Sequence, residues 1–389
     1  MDSTPTISIN SKLPRLSTTI FTVMSTLAKE HKAINLSQGF PGFPPSPQLL
    51  KRLKKTIEKG SHQYYPMAGS PELSKQITAL FERRDQHHYH PESEITITAG
   101  ATQAIFTAIQ TFVKEGDEVI LFSPAYDCYQ PPLDLAGATA VHVELNEKTF
   151  AIPWEEVQRK MNRKTRMIII NSPHNPSGAV LSKEDLEQLE RLVKGTDVMI
   201  ISDEVYEHIV FEPHQHLSIA SIPELAKRSL VVGSFGKTFH VTGWKIGYIA
   251  APNYLMEEFR KVHQYNVFCV NGPMQEALAG YMKKVKPEET VGLFYQKKRD
   301  IFRSALADTP FELMPCHGSY FQLLGYGDIS QKGDVATAKE WTIKGKIASI
   351  PISVFYQSQR DDKILRFCFA KEEDELLKGA EKLRKIAKA

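Results

Sequence analysis

An α/β fold, with a mainly parallel sheet covered by helices on both faces, is what this 389-residue sequence predicts. Three observations carry that prediction. Short apolar runs of the kind that makes buried strands recur at Glu94–Ala99, Val119–Phe122, Ala140–Val143, Met167–Ile170, Val198–Ile201 and Leu230–Val232. Between them lie helical stretches, such as Lys183 to Val193 and the segment whose Ile105, Ala108, Ile109 and Phe112 form one apolar face. Strand–helix alternation of this sort builds parallel sheets, and ligands of such sheets gather at the carboxyl ends of the strands.

Taken in order, residues 17–31 place Ile20, Met24 and Leu27 at helical spacing, and the prolines from Pro41 to Pro47 then make an extended connection. Residues 1–48 read as an N-terminal arm with part of a small domain, and residues 49–271 as the large α/β domain. After Asn271 the rhythm changes. Helical segments near Met274–Lys284 and Phe294–Ala307 precede shorter strands at Ser319–Leu324, Ile347–Ile350 and Ile364–Phe369, and a helix rich in lysine and glutamate closes the chain. Residues 272–389 are therefore expected to form a smaller α+β domain.

Composition narrows the function. Hydrophobic and charged fractions of 42% and 24% are those of an ordinary globular protein, and a net charge of +3 without a basic stripe argues against a nucleic-acid partner. Residues 1–10 show no basic and apolar leader pattern, and no run reaches membrane-spanning length, so a cytoplasmic location and no membrane partner are expected. Cys128, Cys269, Cys316 and Cys368 lie far apart and are read as reduced thiols. The clusters His87, His88, His90 and His214, His216 lack nearby cysteines, and no metal site is expected.

The residues just after the strands carry the chemistry. Lys237 follows the strand Leu230–Val232 among Gly233, Ser234 and Gly236. Desolvation there would lower its amine pKa and make it a carbonyl nucleophile, which suggests a Schiff base. Gly236-Lys237-Thr238 imitates the end of a phosphate-binding P-loop, but that motif needs a glycine where Val231 stands. Gly100, Ala101 and Thr102 open a helix, where free amides and the helix dipole suit a phosphate. The loop Asn171 to Gly178 offers Asn175 as donor and acceptor. Asp203, with Tyr206 close behind, ends another strand and needs a positive partner: a protonated heterocyclic nitrogen or, as the competing reading, an arginine. Tyr126 puts an aromatic face near the same crevice. Arg366, in the apolar strand Ile364–Phe369, needs an anion, either a carboxylate ligand or a structural ion pair.

Four of these stretches together resemble the class I/II aminotransferases of the fold-type I pyridoxal-phosphate enzymes. They are Leu36-Ser-Gln-Gly-Phe-Pro41, Asn171-Ser-Pro-His-Asn-Pro-Ser-Gly178, Ser202-Asp-Glu-Val-Tyr-Glu-His208 and Ser234-Phe-Gly-Lys-Thr-Phe-His-Val-Thr-Gly-Trp-Lys-Ile-Gly247, in the family's order. Within the family the likeness is greatest to its methionine and kynurenine–oxoglutarate members. The resemblance implies transfer of an amino group to a 2-oxo acid, with pyridoxal 5'-phosphate held by Lys237. It further implies that Asp203 pairs with the pyridine nitrogen, that Asn175 and Tyr206 contact the ring hydroxyl, and that Tyr126 stacks on the ring. The Ala101 and Thr102 amides, Ser234 and Lys245 would hold the phosphate, joined by Tyr64 from the second subunit of a homodimer. Arg366, Asn175 and the Gly39 backbone would bind the substrate carboxylate. Many family members have arginine where this chain has Lys245, and lysine keeps the charge without the fork.

A lyase on the same scaffold, eliminating a β-substituent from cysteine conjugates, shares these motifs. A regulator carrying this domain beside a DNA-binding module is disfavoured by the lack of room before Lys12. Phe21, Phe40, Tyr65 and Phe355 are candidates for an aromatic-lined pocket suited to methionine or aromatic side chains rather than dicarboxylates.

Overall fold

The apolar runs do become strands, and they lie side by side. The structure is a computed structural model that describes residues 10–14, 16–60 and 62–388, so the N-terminal stretch read for leader signals lies outside the described residues up to residue 9. Among the described residues, seven strands form one sheet in the order Ile95–Thr98, Gly247–Ala250, Ser229–Ser234, Met199–Asp203, Thr165–Asn171, Glu118–Ser123 and Thr139–Glu144. Neighbours from Ser229–Ser234 to Thr139–Glu144 run parallel, while Gly247–Ala250 pairs antiparallel with both of its neighbours.

The inner runs, such as Met167–Ile170 and Leu230–Val232, are apolar because both of their faces are covered, whereas the edge strand Thr139–Glu144 is only partly buried. Val119, Leu121, Met167, Ile169, Ile201 and Val232 pack under the helices Ala101–Phe112 and Asn253–Asn266. Ile120, Ile168, Ile170, Ile200 and Val231 belong to the core on the other side. Burying each such side chain stabilises the fold by about 1.5–3 kcal/mol relative to exposure.

A second, four-stranded antiparallel sheet is ordered Ile350–Pro351, Ile364–Cys368, Phe321–Gly325, Glu312–Leu313. The arm reaches this region rather than standing apart. Its helix Ile20–Glu30 is capped by the Thr19 side chain, which accepts from the Thr22 N–H. Ile34–Asn35 then pairs in parallel with Ile347–Ala348, and the Cys368 N–H donates to the Leu36 carbonyl at 2.7 Å. Gln38 and Gly39 are thereby delivered to the mouth of the large sheet. No helix among the described residues is long and apolar enough to cross a membrane.

Candidate active site

A cavity of about 340 Å³ opens where five strands of the large sheet end, with the arm and the smaller sheet forming its remaining walls. Lys237, Asp203, Asn175, Tyr126, Tyr206, Gly100, Ala101, Thr102, Ser234, Lys245, Arg366 and Gly39 all line it.

Lys237 is placed by the strand Ser229–Ser234, which runs directly into the one-turn helix Phe235–Thr238. Its Nζ donates to the Tyr320 hydroxyl at 2.9 Å and to the Gly39 carbonyl at 3.2 Å, and lies 5.6 Å from the Tyr206 ring centre. Among the described residues no carboxylate forms an ion pair with it. Burial lowers its amine pKa to about 8, leaving a substantial neutral fraction near physiological pH.

Asp203, only 3% exposed, accepts from the Tyr129 hydroxyl at 2.6 Å and from the Val205 N–H at 3.2 Å. Burial pushes its carboxyl up to about 6, against the opposing pull of these donors. Among the described residues no arginine pairs with Asp203. Arg84 turns to the flanking acids, pairing with Asp85 at 2.6 Å and with Glu207, while His216 bonds Glu204 at 2.9 Å. Asp203 therefore faces the cavity as a buried carboxyl with no ion-pair partner among the described residues, a site shaped for a protonated ring nitrogen.

Arg366 is 1% exposed and has no carboxylate partner among the described residues. It donates to Asn175 Oδ1 at 2.7 Å and to the Ser37 carbonyl at 3.2 Å, and among the described residues its Nε has no hydrogen-bond partner. The guanidinium lies 3.9 Å from the Phe321 ring centre and 5.2 Å from that of Phe21, so two aromatic faces hold its plane. A buried guanidinium with an unused donor beside a cavity is suited to an incoming carboxylate. Asn175 is fixed by its own N–H, which donates to Asn171 Oδ1 at 2.8 Å, and Asn171 in turn donates to the Asp203 carbonyl at 2.8 Å.

The third corner is an anion cradle. Gly100 begins the twelve-residue helix Ala101–Phe112 with φ of 79° and no side-chain cap, so the first amides are left for a ligand. Lys245 lies over this turn: a Cβ on Gly100 would sit 3.1 Å from Lys245 Nζ. Ser234 completes the corner. An anion here, a ring nitrogen at Asp203 and a carbonyl carbon within reach of Lys237 fit one flat phosphorylated heterocyclic aldehyde.

Tyr64 is not brought into this cavity. It is 85% exposed, with its ring 5.4 Å from that of Phe268. Of the four aromatics expected around the substrate, Phe21 lines the cavity and Phe355 stands behind it with ring centres 5.9 Å apart. Phe40 is half exposed beside Lys371, and Tyr65 instead packs at Gly272 and Pro273. Sequence reasoning missed Tyr129 and Tyr320. Tyr129 lies one helical turn beyond Tyr126, a spacing that could have suggested a second aromatic at the strand end, whereas Tyr320 gave no signal beyond an apolar strand.

Comparison with known proteins agrees with this geometry. A family profile described as aminotransferase class I and II matches residues 31–383. The methionine aminotransferase of Escherichia coli is 44% identical, the match covering 97% of this chain and 98% of that protein. Human kynurenine–oxoglutarate transaminase 1 is 35% identical over 92% of this chain and 93% of its own length. A crystal structure from E. coli, described as identifying a methionine aminotransferase function, superposes with a TM-score of 0.95 at 43% identity, covering 97% of this chain and all of that one.

Proposed function

The chain belongs to the class I and II aminotransferases, and we propose that it moves the amino group of methionine or an aromatic amino acid to a 2-oxo acid, with pyridoxal 5'-phosphate attached at Lys237. Enzymes of this family work with that cofactor. The observation that carries the proposal is the joint exposure to one cavity of a weakly basic amine, an unpaired carboxyl and an unsatisfied guanidinium, at Lys237, Asp203 and Arg366.

In this reading Gly100, the amides of Ala101 and Thr102, Ser234 and Lys245 hold the phosphate. Asp203 faces the pyridine nitrogen, Asn175 and Tyr206 the ring hydroxyl, and Tyr126 one ring face. The cofactor, when bound, supplies an electron sink for an amino acid's α-carbanion. Arg366 receives the substrate α-carboxylate with Asn175 and the Gly39 backbone beside it, and so orients the Cα–H bond. Once a substrate amine has displaced it, Lys237 Nζ, with its lowered pKa, would take the proton from Cα and hand the same proton on to the neighbouring acceptor carbon. Asp203 holds its negative charge where a protonated nitrogen needs it, and Tyr129 fixes the carboxylate's orientation through the 2.6 Å bond. Phe21, Phe321 and Tyr126 keep water from the reacting carbon.

Two features support a methionine or aromatic donor over a dicarboxylate. Among the described residues Arg366 is the one arginine lining the cavity, so a second carboxylate has no fork to meet, and Phe21 offers an apolar wall. The similarity to the E. coli methionine aminotransferase points the same way. Tyr64 and Phe268, both exposed with their rings in contact, support a homodimer in which Tyr64 reaches the partner's phosphate site. The division into an arm at 1–48, a large domain at 49–271 and a small domain at 272–389 belongs to the same proposal.

The test is an amino-donor screen of the cofactor-loaded protein with several 2-oxo acids, run beside Lys237→Ala. Methionine and phenylalanine should be consumed well ahead of aspartate, and the variant should transfer nothing. A preference for aspartate would overturn the donor assignment, and full activity in Lys237→Ala would overturn the role of Lys237.

A further inference from the structure

Tyr320 has no role in the account so far, yet its hydroxyl stands at the junction of three chain segments. It is fully buried, and its backbone carbonyl is fixed by the Phe369 N–H at 3.0 Å. Its ring packs edge-on against Phe321 and Tyr206, at centre distances of 4.9 and 5.0 Å. The hydroxyl donates to the Gly39 carbonyl of the arm and accepts from Lys237 Nζ at 2.9 Å, and it also meets the Tyr206 hydroxyl.

A phenylalanine would fill this core position as well, so the hydroxyl must be explained by what it touches. A carboxylate in its place would trap the lysine as a permanent ion pair. A phenol is different: with its own proton on the Gly39 carbonyl, its oxygen accepts from an ammonium and from the N–H of a neutral amine alike, so it holds the same nitrogen in both protonation states. Burial keeps this phenol un-ionised, its pKa standing well above the ordinary tyrosine value. The carbonyl of Gly39 supplies a second fixed acceptor 3.2 Å from the same nitrogen, which leaves the remaining donor or lone pair to point into the cavity.

We propose that Tyr320 is the positioning residue that holds the Lys237 amine, oriented to carry a proton, whenever that amine is not covalently engaged. The proposal rests on the reading of Lys237 given above and adds a residue to it. Tyr320 acts through Lys237, and it ties the lysine's resting position to the arm through Gly39.

The test uses the full chain in two variants, Tyr320→Phe and Tyr320→3,5-difluorotyrosine, the second keeping the shape and packing while weakening the oxygen as an acceptor. The first readout is competitive acetic anhydride labelling of Lys237 in cofactor-free protein as a function of pH, followed by peptide mass spectrometry. The wild-type midpoint should lie near 8. Loss of a hydrogen bond to a charged group should move it down by about one pH unit in Tyr320→Phe, and by a smaller step in the fluorinated variant. The second readout is the loaded enzyme with methionine deuterated at Cα: kcat should fall about tenfold or more with a larger isotope effect, while KM changes by less than about a factor of three. An unchanged labelling midpoint in both variants, or an unchanged kcat in Tyr320→Phe, overturns the proposal. Wild-type protein that fails to take up cofactor at Lys237 would instead refute the function assigned above, so the two failures are distinguishable.

Discussion

Replacing Asp203 by asparagine should strengthen the cofactor-free protein while destroying its chemistry, and the size of both effects can be worked from the structure. The Asp203 carboxyl titrates at about 6 in the fold against 3.8 for the ordinary side chain, with burial the leading cause. Because the folded value is the higher one, the folded protein binds the extra proton. The stability this group contributes is therefore present below pH 3.8 and is lost as pH rises to about 6. Across roughly two pH units, at about 1.4 kcal/mol each, the ionised carboxylate costs the cofactor-free fold about 3 kcal/mol at neutral pH. Both present partners of Asp203 are donors, the Tyr129 hydroxyl and the Val205 N–H, so an asparagine NH₂ would spoil one contact at a cost of about 1 kcal/mol. Urea unfolding of cofactor-free Asp203→Asn should then show a net gain of about 2 kcal/mol at neutral pH that vanishes near pH 4. With cofactor, kcat should fall on the order of 100- to 1,000-fold, as for the loss of one preorganised charge. A variant less stable than wild type at neutral pH, with a difference that does not depend on pH, would show that Asp203 is already paired and refute the reasoning.

Three other perturbations probe the remaining corners. Arg366→Lys keeps the charge but loses the planar fork held between Phe321 and Phe21, so kcat/KM for amino and oxo acids alike should drop about 10- to 100-fold in steady-state assays. Gly100→Ala forces a Cβ onto a backbone with φ of 79°, 3.1 Å from Lys245 Nζ. About 1–2 kcal/mol of strain there should weaken cofactor retention about tenfold by equilibrium dialysis while methionine KM stays near wild type. Sedimentation velocity should give a dimer, and Tyr64→Phe should release cofactor faster without changing that state, whereas a monomer with full activity would exclude a shared site.

The inner strands were legible because they are buried on both faces and so read as unbroken apolar runs, as at Met167–Ile170. The loops at their ends were legible because glycine, proline and charged residues there have few structural reasons to occur together. Gly247–Ala250 was missed for the opposite reason. It is four residues long and begins with a glycine whose Cβ would meet the Gly233 carbonyl at 2.7 Å, so close backbone approach, invisible in a one-dimensional pattern, decides it. Asp203, Asn175 and Arg366 stood out as polar groups in apolar settings. Tyr129 and Tyr320 did not, since a buried tyrosine reads as core until the partner of its hydroxyl is known. Phe40 and Tyr65 were drawn toward the pocket on hydrophobicity alone, which does not say what a ring packs against.

The central claim is a covalent one, and borohydride reduction of the pyridoxal-phosphate-loaded protein followed by tryptic mass spectrometry tests it most directly. A single reduced phosphopyridoxyl group should appear on the peptide containing Lys237. Its appearance on another lysine, or its absence from every peptide, would contradict the account.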